Sequence, residues 1–101
     1  MTTLPFQAVS GGNQLVTTGA ASASVTVKTP TKSVRVVNTG STNVGHVRVG
    51  SGTQTATTAD IPVLPGESLV LHKADDDETV AYIQAASGTT TMQIQPGQGG
   101  V

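Results

Sequence analysis

The sequence is a succession of short runs rich in β-branched residues, each alternating apolar and polar side chains and each closed by turn residues. That rhythm constrains the fold more than any other feature, because a period of two places alternate side chains on one face of a strand. Leu15–Thr18, Ser22–Lys28, Ser33–Asn38 and Val44–Val49 read as strands, separated by "TGA", "TPT" and "TGSTN". Val25 and Val27 share one face, as do Val34 and Val36. Val47 and Val49 share another, with His46 and Arg48 opposite. A first strand is expected near Pro5–Val9. Glu67–His72, Thr79–Ala86 and Thr90–Gln95 follow, the last with Met92 and Ile94 inward. "DDDETVAYIQAAS" is the best helical candidate, yet its Thr79–Ile83 stretch reads equally well as a strand.

Seven or eight short strands at regular spacing predict an all-β chain, a single antiparallel β-sandwich or jelly roll spanning residues 1–101. No βαβ pattern occurs, so a parallel α/β fold is not expected. Phe6 and Tyr82 are the two aromatics and Trp is absent. Valines, a few Leu and Ile, and alanines must therefore form the core, which suits two closely packed sheets. A chain of this mass should fold to a surface of roughly 5,300 Å².

The stretch "VLPGESLVL", residues 63–71, holds a rigid corner. Pro65 presets φ for the second position of a turn, and Gly66 accepts the positive φ of a type II third position. The corner ends a long connection, Gly50–Gly66, that looks too long for a hairpin and is expected to cross between sheets. Leu69 and Leu71 then point into the core. At the ends, residues 1–9 form a possible N-terminal arm. Residues 96–101, "PGQGGV", form a flexible tail. Leu4, Pro5 and Phe6 are the arm's candidate partner-binding residues, since a large aromatic on an aromatic-poor chain makes a good anchor.

Charge excludes several functions. Charged residues make up 11% of the chain, the net charge is −1, and 25 residues are Ser or Thr. The five Lys/Arg are scattered from Lys28 to Lys73, so no basic footprint for nucleic acid exists. No apolar run reaches membrane-span length. "MTTLPFQAVS" lacks the basic start and apolar centre of a signal peptide. Absence of cysteine removes disulfide and thiol chemistry.

No catalytic motif is present. The serines lack a GxSxG setting, and the glycines match neither GxGxxG nor a P-loop. His46 and His72 have no paired-ligand spacing. No cofactor and no metal are expected. Asp75–Glu78 lacks EF-hand spacing and reads as a solvated turn, with a weak cation site as the sharper alternative. His46 and Arg48 share a strand face with little negative charge nearby in sequence, a face that could meet an acidic partner.

One longer stretch, "VRVVNTGSTNVGHVRVGSGTQTATTADIPVLPGESLVL" from residue 34 to 71, resembles small virion-associated β-sandwich proteins of tailed bacteriophages. A strand ends in Asn-x-Gly, a Val/Arg strand runs into Gly, a Thr/Ala-rich crossover follows, and "PVLPGE" opens the next strand. "IQAASGTTTMQIQPGQG", Ile83–Gly99, is similar to the closing hairpin of such chains. The resemblance implies a non-enzymatic virion protein of the capsid decoration or cement type, made in the host cytoplasm and placed on the capsid surface. Its implied partners are the major capsid protein and itself, as homodimer or homotrimer, without nucleic acid or membrane. A tail, neck or fibre-base module and a carbohydrate-binding sandwich are the alternative readings.

Overall fold

A computed structural model describes residues 6–19, 21–27, 29–84 and 89–99. Nine strands lie within them: β1 (Gln7–Ala8), β2 (Gln14–Thr17), β3 (Ala23–Thr26), β4 (Ser33–Asn38), β5 (Gly45–Gly50), β6 (Ile61–Val63), β7 (Ser68–His72), β8 (Thr79–Gln84) and β9 (Thr91–Gln98). All pairings are antiparallel. The first sheet runs β1-β9-β4-β7, with β2 also on β9, and the second runs β3-β8-β5-β6. Within them β2 pairs β9, β3 pairs β8, β4 pairs β7 and β5 pairs β6. The chain is thus one long hairpin wrapped over itself, which is the jelly-roll order.

The core is built as the alternation requires. Val16, Val34, Val36, Met92 and Ile94 from the first sheet meet Val47, Val63, Val80 and Tyr82 from the second, all buried. Leu69 and Leu71 pack against them while staying partly exposed. The total surface, 5285 Å², equals that of a chain this size folded around one core.

Several expectations need correction. The Gly50–Gly66 connection contains β6, which returns to pair with β5, so this segment is a hairpin with a long loop. The sheet change comes after it, at the corner itself. Gly66 has φ +77° and the Glu67 N–H donates to Leu64 O at 2.9 Å, the closed type II turn. It joins an edge strand of one sheet to an edge strand of the other. Ile83–Gly99 is no hairpin, because β8 and β9 belong to different sheets. Thr79–Gln84 is strand, which settles the helical alternative; Ala85 and Ala86 lie outside the described residues.

The two ends also differ from expectation. Gln7 and Ala8 pair with Gln98 and Gly97, so the described part of the arm lies on its own sheet. Residues 96–98 belong to β9 and are not a free tail. A proline in this central strand has a local reason. Between β1 and β2 the register slips: Gln7 faces Gln98 while Gln14 faces Ile94. Pro96, with no N–H to give, sits at that slip, and its carbonyl accepts from Val9 N at 3.0 Å.

Candidate interaction surface

The described candidate residues stand on the two outer faces of the sandwich. On the outer face of the first sheet, the alternation brings up Leu15 and Thr17 from β2, Arg35 and Val37 from β4, Val70 and His72 from β7, and Gln93 and Gln95 from β9. Leu15 is 65% exposed and is the most exposed large hydrophobic residue described. Arg35 and His72 are the ionisable groups of these strands on this face, and no carboxylate joins them.

Phe6 lies on the same face. Its ring covers Gly97, where a Cβ would come within 2.7 Å of it. The Arg35 guanidinium stands 5.4 Å from the ring centroid, a cation–π distance. Arg35 Nη2 donates to Gln95 Oε1 at 3.1 Å. The half-buried aromatic is therefore seated on its own sheet. Leu4 and Pro5, the other two candidate arm residues, lie outside the described residues.

His46 and Arg48 stand on the outer face of the second sheet, so they share no surface with Phe6. The structure brings both against Asp60, twelve residues beyond Arg48, one at its carboxylate and the other at its backbone carbonyl. Arg48 binds Asp60 through Nη2 at 3.0 Å and Nε at 3.1 Å. His46 Nδ1 lies 3.2 Å from the Asp60 carbonyl oxygen. The expectation of little negative charge here is corrected, because the β5–β6 loop folds back and delivers Asp60. Backbone donation from Thr57, at 2.7 Å, holds the Asp60 carboxyl below its ordinary 3.8, with Arg48 adding to it. The same loop bonds Ala56 N to Ser22 Oγ, beyond the sheet's far edge, at 2.8 Å. Ala56 and the outward Ala81 are both buried, so the loop lies across this face and occupies much of it.

The acidic run is a turn whose carboxylates diverge. Asp75 pairs with Lys32 at 3.2 Å, Asp77 accepts from Ala74 N, and Glu78 accepts from Gly52 N at 2.7 Å. Among the described residues no three His, Asp or Glu side chains gather as a metal site would need. Beneath the turn Lys73 is buried and donates to Thr31 O at 2.6 Å and to Ala74 O. Burial lowers its ammonium pKa, against the raising effect of Asp77, Asp75, Asp76 and Glu78.

One buried polar cluster escaped sequence reasoning. Asn38, with no exposed surface, donates through Nδ2 to Asn43 O and Val63 O, both at 2.9 Å. Its Oδ1 accepts from Gly40 N and from Thr90 Oγ1 at 2.7 Å. Its backbone N–H donates to Glu67 O and its carbonyl accepts from Gly66 N. Thr90 N donates to Thr18 Oγ1, which donates to Gln84 Oε1. The network fastens the corner, β6 and the β8–β9 connection to the end of β4. The only sequence cue was an Asn closing a valine-rich strand. Its role is structural, since no atom of it faces solvent.

Comparison with protein-family models and with curated proteins gave no match. Among solved structures, a chain from the work titled "Bacillus endospore appendages form a novel family of disulfide-linked pili" is similar at 19% identity, over 97% of this chain and 95% of that one, with a TM-score of 0.43.

Proposed function

We propose that this protein is a non-enzymatic structural module that docks through the outer face of its first sheet onto a repeating assembly. The finer form of the proposal is a decoration protein on the capsid surface of a tailed bacteriophage, bridging neighbouring copies of the major capsid protein. The observation that carries it is the composition of that face. Leu15, Val37 and Val70 alternate with Gln93, Gln95 and Thr17, and Arg35 is the one strong charge among them. Amides and hydroxyls exchange water for a neighbour at less cost than charges do. Apolar side chains between them supply the attraction. The pattern of residues 34–71 supports the virion setting. Modest contacts suffice when a lattice repeats them, and binding the assembled shell but not its free subunits stabilises the shell.

Co-sedimentation with shells purified without this protein tests the reading, with free shell subunits as control. Wild-type chain should pellet with shells only. Leu15→Glu and Val37→Glu, folded by circular dichroism, should stay in the supernatant. Equal pelleting of the variants would refute the assigned face, and no pelleting of the wild type would refute the function.

A further inference from the structure

Among the described residues, β7 ends the first sheet with no strand on its outer side. In the β4–β7 ladder, Lys73 N donates to Lys32 O at one end and Asn38 N to Glu67 O at the other. The intervening register places the N–H and C=O groups of Leu69 and Leu71 toward β4. Those of Ser68, Val70 and His72 point away from the sheet, and no partner for them lies among the described residues. Unpaired edges are usually blunted by proline, lysine, a bulge or a covering segment. The other three edges show such protection. The β6 edge is three residues long and contains Pro62. The β1/β2 edge is broken at the Val9–Asn13 slip. On β3, Gln14 Nε2 occupies the Thr26 carbonyl at 2.6 Å. The β7 strand, "SLVLH", has none of these devices.

We propose that two copies of this chain associate through β7, antiparallel about a two-fold axis at Val70, so that the first sheet runs continuously through both. This assignment does not depend on the shell-docking function. With Val70 opposite Val70, Ser68 falls opposite His72 of the second copy, and every outward group meets an outward group. About six backbone hydrogen bonds can then form. Leu69 lies opposite Leu71 of the second copy, which covers the exposed remainder of both. Two of the three exposed large hydrophobics, Ile61 at 43% and Leu64 at 51%, sit on the same side, in β6 and the corner leading into β7. Charge does not oppose the register: β7 itself holds no Asp, Glu, Lys or Arg, so the pairing sets no like charges opposite one another. An isologous pairing of this kind closes on itself and stops at two chains.

Analytical ultracentrifugation over micromolar to millimolar concentration tests the proposal, with amide hydrogen exchange alongside. The wild type should form a dimer that dilution dissociates, and Ser68, Val70 and His72 amides should become protected only at the higher concentrations. Val70→Pro removes an outward N–H from each copy without breaking a bond of the monomer. It should weaken dimerisation on the order of tenfold or more. Val70→Lys places two lysines directly opposite each other, their Cα atoms roughly 5.5 Å apart, and the like charges should do the same. A wild type that stays monomeric overturns the proposal. So do dimers untouched by a folded variant, and open-ended assembly instead of closed dimers. If neither variant folds, the exchange pattern of the wild type decides, and unprotected Val70 in the dimer is the refuting result.

Discussion

Asn38 is fully buried and ties several segments of the described chain together. Six hydrogen bonds use its side chain and backbone, and they reach five segments of the chain. Asn38→Ala leaves Gly40 N, Thr90 Oγ1 and two carbonyls without their partner inside a closed end. Each such group costs about 1–3 kcal/mol, so urea unfolding should show a loss of about 3 kcal/mol or more. A loss under about 1 kcal/mol would mean water replaces the amide freely. Gly66 matters for a different reason. At φ +77° a β-branched residue is strained, and Gly66→Val should lower stability by about 1–3 kcal/mol. An unchanged melting temperature would contradict the type II corner. Phe6 is half-buried outside the core. Phe6→Ala should cost only about 1 kcal/mol of burial and leave the fold intact by circular dichroism.

Among the elements, the 51–60 loop is held by two carboxylates with a common pH response. Glu78 is kept below its ordinary 4.5 chiefly by Gly52 N–H, and Asp60 below 3.8 chiefly by Thr57 N–H. A carboxyl lowered in the folded state stabilises it above the unfolded pKa and loses that effect as pH falls through the folded value. The loop should therefore loosen below about pH 4 before the sandwich melts. Limited proteolysis across pH 3–6 should cut first within 51–60, and equal protection at both ends of that range would sink the idea. Most strands were legible in the sequence because valine alternation fixes both the element and its inner face. Strand β6 was not: "IPV" is three residues long, buries only Val63, and holds a proline, which is tolerated here because the strand is an edge. Asp60 was missed for a related reason. Its meeting with Arg48 depends on the loop folding back, and nothing in the twelve-residue separation announces that.

At the scale of the whole molecule, the jelly-roll order follows from nested pairing, which no single segment encodes. The sequence narrowed the class to a sandwich. Turn chemistry alone could not say that nearly every connection after β2 changes sheet, because a hairpin and a crossover can use the same residues. The candidate surface was half legible. Phe6 and the His46/Arg48 pair were identified, but they fall on opposite sheets, and Arg35, which holds Phe6, was not singled out. It sits in "VRVV", where an isolated arginine reads as the solvent side of a strand. Among the described residues, the outside offers a sparsely charged face on one sheet, a loop-covered face on the other, and one unprotected edge. That combination fits a protein whose work is contact.

The central claim is that this contact is made with a repeating assembly. Its most direct measurement is the copy number of the chain in purified virions, by quantitative mass spectrometry against the major shell protein. The account predicts a ratio near one, or a simple fraction maintained over the whole shell. A handful of copies per particle would contradict decoration, and complete absence would contradict the virion role itself.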